Sequence, residues 1–367
     1  MDWKNTGYTY EVAVNVIHQT DVDYTLGCLS GVQLSSLSVT EQYYSDTRVQ
    51  AKVSTVVEEG KSDGYIKNAR LKIILIIPEH GWSEEFITGY VSDIDEKSQN
   101  GYIERTYTIE GTIWGLLNHV MNQPITIGKG AKMLAIFSSL LTNHTKMQFV
   151  LDGAQDKSFA NTILYEPGTV LSTILFELVS GYNRMDVDGH GRIVLRRYIA
   201  PANKTPTRII DYNDSLTLAL LPLSKTSTEY ESPGRVVVTT TISKTVNGKS
   251  VQEVICGYYD APQTNPTSIH VRGWLNGKSE SYSGISENPS KSELNTQAKK
   301  VWEDNQDKGV EWTFTSVFAD YHAGEVVTLV KPVLRESGQV TETHKVLIST
   351  ATTKFNTLTQ ELTLKEV

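Results

Sequence analysis

Residues 290–330 read SKSELNTQAKKVWEDNQDKGVEWTFTSVFADYHAGEVVTLV, and the spacing of their apolar residues changes from helical to alternating. Ser290 and Glu293 have the spacing of a capping box, in which the hydroxyl and the carboxylate satisfy free backbone amides at a helix start. One apolar face then recurs at helical spacing: Leu294, Ala298, Val301 and Trp302. After Gly309 apolar and polar residues alternate. The stretch predicts one helix followed by strands.

The strand pattern also fills the rest of the C-terminal third and the first part of the chain. Apolar or alternating runs occur at Tyr8–Ile17, Val49–Val57, Ala69–Ile77, Phe86–Val91, Arg105–Ile113, Val326–Val330, Lys345–Ser349 and Leu358–Val367. Thr, Val, Ile and Tyr favour strands, and the chain has 18 Tyr residues. The fold class predicted is mainly β with an α+β component.

Between these regions the pattern becomes helical. Two apolar stripes, Met133–Leu141 and Val170–Leu178, predict helices, and Gly181 marks the end of the second. A hairpin with an Asp188–Gly191 turn follows them. Further strand candidates are Ile209–Ile210, Leu216–Leu223, Arg235–Ile242 and Val251–Tyr259, with a hairpin turn at Val246–Lys249 and a loop at Asn276–Pro289.

These patterns predict three domains. Residues 1–121 form a first β-barrel domain, and residues 122–207 form a small α+β domain with two helices and a hairpin. Residues 208–367 form a second β-barrel domain with a loop-helix insertion at about 275–308. The packing residues expected in the two barrels are Ile73, Ile74, Ile76 and Phe86 in the first, and Trp312, Phe314, Val327 and Leu329 in the second.

Composition excludes several classes of protein. The 367 residues are 39% hydrophobic, enough to build cores, and carry a net charge of −8 without a basic run, which argues against nucleic-acid recognition. Cys28 and Cys256 are too few and too far apart for a disulfide framework or a zinc site. The longest apolar run, Ile73–Ile77, is too short to span a bilayer, and the N-terminus shows no secretory signal. We expect folding in a reducing cytoplasm.

Two motifs resemble catalytic or metal-binding sequences but are better explained as turns. Gly60–Gly64 matches a G-x-S-x-G nucleophile elbow, yet a strand rather than a helix is predicted after it. Asp186–Gly191 begins like a calcium loop, but Arg197 stands where the bidentate Glu is needed. Both are predicted to be hairpin turns.

Two further stretches also have structural explanations. Gly128–Gly130 precedes a helix but lacks the rest of a phosphate-binding loop. His80–Glu85 contains the ingredients of a sugar site, but a glycosidase needs a second carboxylate across a cleft, so an exposed turn is predicted, with Trp82 as a candidate interface residue. The eight His residues form no H-x-x-x-H or H-x-H pair, so no metal site, cofactor site or catalytic residue is predicted.

Three segments together resemble the central hub proteins of phage tail tips and contractile baseplates, the late-control-D-like family. The first is Glu85–Asp93 with Tyr102–Leu117, similar to a strand with a Phe-x-x-Gly core and an alternating strand that enters a Leu-rich helix. The second is Val170–Leu178 with the hairpin Met185–Leu195. The third is Ala323–Leu329, where relatives often have Gly-Asp before a Val-rich strand and this chain has Glu325.

The resemblance implies a structural protein without enzymatic activity. Hubs of this family have two barrels similar to the tail-tube subunit, and three copies form a pseudo-sixfold ring between the hexameric tube and the threefold spike. The partners implied are the chain itself as a homotrimer, the tail tube protein, the spike or tip protein, distal tail or baseplate proteins and the tape measure protein. The location implied is the virion tail, or a phage-like contractile injection particle, assembled in the bacterial cytoplasm. Because no enzymatic module follows Val367, we expect any spike or hydrolase to be a separate chain.

Two alternatives from other classes stay open at this point. The first is a tail-associated cell-wall hydrolase or glycan-binding tip protein, which would need paired carboxylates in a cleft or a Cys/His pair. The second is a cytoplasmic β-rich enzyme, which would bind a small ligand and form no ring.

Overall fold

A computed structural model of the chain describes residues 9–17, 24–26, 32–61, 66, 69–212, 223–227, 232–246, 249–265, 267–273, 275–282, 289–306, 310–335 and 338–367. The described part is mainly β, which confirms the predicted fold class. No helix in these ranges combines the length and the apolar character needed to cross a bilayer.

The N-terminal region is an antiparallel sheet. Its strands are β1 (Glu11–Ile17), β2 (Tyr24–Leu26), β3 (Val32–Gln42), β4 (Val49–Glu58), β5 (Arg70–Ile77), β6 (Trp82–Gln99) and β7 (Tyr102–Gly111). They pair in the order β3-β4-β7-β6-β5-β1-β2. A short 3-10 helix, Pro78–His80, separates β5 from β6. Buried side chains from all seven strands belong to one hydrophobic core.

The packing residues predicted for this sheet are partly confirmed. Ile73 and Phe86 are buried. Ile74 and Ile76, however, are only half-buried, because β5 alternates and its buried face carries Leu71, Ile73, Leu75 and Ile77. The continuous apolar run Ile73–Ile77 is typical of a strand buried on both faces, whereas the pleat of β5 turns only one face towards the core.

The middle region contains three helices and two small sheets. Its elements are α1 (Ile113–Leu117), β8 (Ile125–Ile127), α2 (Met133–His144), β9 (Phe149–Asp152), β10 (Ile163–Tyr165), α3 (Leu171–Val179), β11 (Asn183–Val187) and β12 (Ile193–Arg197). The predicted stripes of α2 and α3 are buried, and Gly181 has a φ of 78° just after α3. The predicted hairpin is β11–β12, with β9 added in parallel to β12.

The C-terminal region follows a second 3-10 helix at Pro201–Asn203. Its elements are β13 (Ile209–Asp211), β14 (Ser224–Ser227), β15 (Arg235–Val246), β16 (Lys249–Asp260), α4 (Ile269–Arg272), β17 (Gly277–Ser281), α5 (Lys291–Gln306), β18 (Val310–Val317), β19 (Val326–Arg335), β20 (Gly338–Lys354) and β21 (Thr359–Glu366). Most of the strand candidate Leu216–Leu223, and the turn between β15 and β16, lie outside the described residues.

The last strands continue the N-terminal sheet. β20 pairs with β3, so the order continues as β14-β18-β21-β20-β3, while β19 pairs with β20 and with β13. The four packing residues predicted here, Trp312, Phe314, Val327 and Leu329, are all buried. The first and last parts of the chain thus share one hydrogen-bonded sheet.

A separate sheet, β16-β15-β17, lies against α5. The predicted capping box is confirmed: the Ser290 amide donates to Glu293 Oε2 (2.6 Å), and the Glu293 amide donates to Ser290 Oγ (3.2 Å). The predicted loop 276–289 is wrong at Gly277–Ser281, which forms β17 in parallel with β15. This strand is polar, and its exposed edge position requires backbone hydrogen bonds rather than apolar side chains.

Candidate functional site

A cavity of about 500 Å³ lies where distant segments of the chain meet. Its walls come from the end of β3, the start of β6, the β11–β12 hairpin, the segment after β12 and the loop between β18 and β19. Parts of the three segments that resemble the hub family therefore line one junction: Glu85–Phe86, Asp186–Gly189 and Ala323–Glu325.

The turn of the β11–β12 hairpin is pressed against β6. Thr88 Oγ1 donates a hydrogen bond to the Gly189 carbonyl (2.8 Å), and Thr112 Oγ1 donates to the Gly191 carbonyl (2.7 Å). A Cβ at position 189 would overlap the carbonyl oxygen of Glu85. Position 189 therefore accepts only glycine without a shift of one strand.

His322 lies at the centre of a carboxylate cluster on the wall of the cavity. Its Nδ1 is 2.9 Å from Glu41 Oε1, and its Nε2 is 3.1 Å from both Glu84 Oε1 and Asp320 Oδ1. The second oxygen of Glu41 accepts the Ala323 amide (3.1 Å). The imidazolium thus joins β3, β6 and the loop before β19.

The cluster shifts the pKa values of its members in opposite directions. Burial, which alone would lower the pKa of His322, is outweighed by the charge of Glu41 and by the hydrogen bonds that the imidazolium donates to the carboxylates, so the pKa of His322 is strongly raised. Burial raises the pKa of Glu84 to about 7. Burial also acts to raise the pKa of Asp320, but hydrogen bonds with His322 and Glu84 outweigh it and hold that pKa at about 2.

The loop that carries Asp320 and His322 is fixed by two other side chains. Gln360 is fully buried; its Oε1 accepts the amides of Ala319 and Tyr321 (both 3.1 Å), and its Nε2 donates to the Tyr321 carbonyl (3.0 Å). The Arg208 guanidinium donates to the carbonyls of Ala319 (2.8 Å) and Asp320 (2.7 Å). The geometry of the cluster is therefore set by the surrounding fold.

A second charged group, around Tyr43, lies at the other end of the cavity. The Arg184 guanidinium lies 3.6 Å from the centre of the Tyr43 ring and donates from Nε to Asp186 Oδ1 (2.7 Å). Arg48 donates to the carbonyls of Tyr43 (2.9 Å) and Ser45, and burial lowers the pKa of Arg48 to about 10. These contacts tie the β3–β4 connection to the hairpin.

The calcium-loop alternative for Asp186–Gly191 is not supported by the contacts. Asp188 accepts the Arg192 amide (2.8 Å) and Nε (2.7 Å), while Asp186 accepts Arg184. Both carboxylates are therefore neutralised by arginines, and the predicted hairpin turn is confirmed.

In the Gly128–Gly130 segment the amides of Lys129 and Gly130 bond within the chain. The Lys129 amide donates to Thr162 Oγ1 (3.3 Å), the Gly130 amide to the Phe159 carbonyl (2.8 Å) and the Leu134 amide to Asp156 Oδ1 (3.1 Å). These bonds are those of a loop that leads into α2. In Gly60–Gly64, Gly60 lies in a turn after β4, and residues 62–64 lie outside the described ranges.

The stretch His80–Glu85 contributes to the site in a way that the sequence did not reveal. Only its first residues form the predicted turn, because β6 begins at Trp82. Trp82 packs against Phe318, with ring centres 6.1 Å apart, inside the chain. Glu84 meets Asp320 and His322, which are more than two hundred residues away in sequence, and no spacing motif could indicate that contact.

The cluster does not have the arrangement of a glycosidase. His322 Nε2 bridges Glu84 and Asp320, so a sugar ring cannot lie between these two carboxylates. The junction has instead the character of a structural connection, with charged groups paired to one another across elements.

No protein-family model and no curated protein matches the sequence. Solved structures do match the fold along the whole chain. A tail protein from Neisseria meningitidis MC58 has a TM-score of 0.66 at 14% identity, covering 98% of this chain and 97% of its own. The 43 kDa tail protein of prophage MuSo2 from Shewanella oneidensis has a TM-score of 0.66 at 10% identity, covering 97% and 96%.

A component of the Escherichia coli type VI secretion system has a TM-score of 0.50 at 10% identity, covering 96% of this chain and 76% of its own. The resemblance to phage tail and baseplate proteins that three sequence segments suggested is therefore confirmed at the level of the fold.

Proposed function

We propose that this chain is the structural hub of a phage tail tip, a contractile baseplate or a related injection particle. The observation that carries the proposal is the fold shared over nearly the full length of both proteins with two tail proteins. In the proposed assembly three copies form a pseudo-sixfold ring that connects the hexameric tail tube to the threefold spike. Its location is the virion tail, after assembly in the bacterial cytoplasm.

The proposed domain division is 1–121, 122–207 and 208–367. Two hydrophobic clusters support it: one around Phe137 and Leu175, mostly within 122–207, and one around Trp312, within 208–367. The cluster around Val53 and Ile73 joins the first and last parts, because it also contains Phe318 and Phe355. The partners proposed are the tail tube protein, the spike or tip protein, distal tail or baseplate proteins and the tape measure protein.

The proposed role is non-enzymatic. Charged residues at the junction pair with one another, and the two solved structures that share the fold over nearly their full length are tail proteins. The rival function is a tail-associated cell-wall hydrolase or glycan-binding tip protein. The bridging of Glu84 and Asp320 by His322 speaks against the hydrolase at this cavity.

The test is the mass of the full chain in solution, measured by light scattering over a dilution series, with negative-stain images. The expected result is a ring with a mass three times the chain mass of 40.9 kDa. If only monomer is seen, the same measurement is repeated with the tube protein and with the spike protein, and a trimer is then expected. A chain that stays monomeric with both partners, or that clears a suspension of cell walls, would overturn the proposal.

A further inference from the structure

The donor atoms of Glu84, Asp320 and His322 surround one point at the cavity wall. All lie within 4.8 Å of one another, and in the described ranges no other trio of His, Cys, Asp or Glu does so. Two of the ligands come from one loop as Asp320-Tyr321-His322, and the third comes from β6. The group mixes imidazole and carboxylate, a set that suits zinc and other divalent transition metals.

Two of the three spacings between these atoms match the spacing of ligands around a metal ion. Two ligands at about 2.1 Å from a cation, with an angle between tetrahedral and octahedral, lie about 3.0–3.4 Å apart. His322 Nε2 lies 3.1 Å from Glu84 Oε1 and 3.1 Å from Asp320 Oδ1. A cation that replaces the Nε2 proton would therefore reach all three ligands with small side-chain adjustments.

The other nitrogen of His322 is held as a metal ligand requires. Nδ1 lies 2.9 Å from Glu41 Oε1, so a neutral imidazole would donate its Nδ1 proton to Glu41 and present the Nε2 lone pair to the cation. The loop is fixed from behind by Gln360 and Arg208. Glu84 and His322 both line the cavity, which leaves space for water ligands.

We propose that Glu84, Asp320 and His322 bind one divalent transition-metal ion of the zinc class, with Glu41 as the residue that positions the imidazole. Binding exchanges the Nε2–H bond of His322 for an Nε2–metal bond and releases that proton to solvent. The ion joins β6 to the loop before β19, so it stiffens the junction between the first and last strands of the chain.

The test is calorimetric titration of the full, chelator-treated chain with ZnCl₂ in two buffers of different ionisation enthalpy. The expected result is one ion per chain, at least about one proton released, and a rise in Tm of about 5 °C at saturating metal. CaCl₂ and MgCl₂ should give no such rise, because imidazole suits softer cations. A comparable shift with calcium would contradict the proposed transition-metal site.

Variants identify the ligands. Asp320→Asn and His322→Gln should each weaken zinc binding at least about 100-fold, since even outer-shell partners change metal affinity about 10–100-fold. The control is His344→Gln, because His344 also lies beside two carboxylates, Glu366 (2.8 Å) and Glu342 (3.4 Å), but outside this cluster. This control should bind zinc as the parent chain does.

Three results would overturn the proposal: no saturable zinc site in the parent chain, unchanged affinity in folded His322→Gln, or zinc binding without proton release. The last measurement uses the parent chain alone, so it stands even where a variant does not fold. Circular dichroism in EDTA shows whether each variant is folded.

Discussion

A Cβ atom at position 189 would overlap a backbone oxygen of Glu85, whereas a Cβ at Gly128 would meet nothing within 4 Å. Both residues lie in loops and neither has a positive φ, so the comparison isolates steric contact from backbone strain. Gly189→Ala should lower the free energy of unfolding by about 1–3 kcal/mol, because the hairpin must move away from β6. Gly128→Ala should be close to neutral. Urea denaturation of both variants measures the difference, and equal effects would contradict the close contact at 189.

Gln360 is a polar residue whose substitution should lower the stability of the folded chain strongly. It is fully buried and bonds the loop that carries Asp320 and His322. Gln360→Leu should cost about 2–5 kcal/mol, because two buried amides and one carbonyl lose their partner. The adjacent Glu361→Gln, on an exposed side chain, is the matched control and should change the stability little. Thermal unfolding of the two variants tests the difference; a mild effect of Gln360→Leu would mean that water replaces the amide.

At the scale of single elements, the capping box of α5 gives a pH-dependent prediction. Two hydrogen bonds lower the pKa of Glu293 below its usual 4.5: the larger effect comes from the Ser290 amide and the smaller one from the Ser290 hydroxyl. Such a carboxyl stabilises the folded chain fully at pH values above the pKa that it has in the unfolded chain. This stabilisation is lost as the pH falls through the lower pKa that the carboxyl has in the folded chain.

Glu293→Ala should therefore lower the Tm at pH 7, and the difference from the parent chain should shrink below pH 4.5. Thr296→Ala serves as the control, since this exposed hydroxyl bonds to Ser292 (2.9 Å) and does not titrate. Its difference in Tm should stay constant over the same range. A Glu293→Ala difference that is independent of pH would show that the carboxylate does not act as a cap.

Elements with a strong local signal were predictable from the sequence. The capping box and apolar stripe of α5, the alternation of β18 and the Asp-Gly turn of the hairpin are set by neighbouring residues. β17 was missed, because Gly277–Ser281 becomes a strand only through backbone pairing with β15. The sequence did not show which face of β5 is buried, because Ile73–Ile77 are all apolar and the two-residue alternation of a strand is not visible in such a run.

At the scale of the molecule, the candidate site could not be predicted because it is made by long-range sheet pairing. Glu41 and Glu84 lie on β3 and β6, which the pairing through β4 and β7 places in one sheet, and His322 precedes β19, which reaches that sheet through the β20–β3 pairing. Burial raises the pKa of Glu84, and hydrogen bonds with His322 and Glu84 outweigh burial and lower the pKa of Asp320, so both shifts depend on contacts made in the folded chain. The resemblance of three segments to the hub family predicted the fold, but not that these segments meet at one cavity.

The same pairing predicts that the N-terminal sheet depends on the end of the chain. Phe318 and Phe355 are buried in the core of the first strands, and the rings of Phe355 and Phe86 pack edge to face at 5.2 Å. Asn356 also bonds the Leu37 amide (3.0 Å). A fragment of residues 1–207 would therefore expose the apolar surface that these two rings cover and leave β3 without β20.

We expect this fragment to lack the cooperative thermal transition of the full chain, and Phe355→Ala in the full chain to cost about 3–5 kcal/mol. Calorimetry of both proteins is the measurement. Asn356→Ala, which removes the bond to Leu37 but keeps both rings, should cost less than Phe355→Ala and separates the polar from the apolar contribution. A fragment that unfolds cooperatively near the parent Tm would mean that the first strands fold independently, and that β20 adds to a sheet already formed.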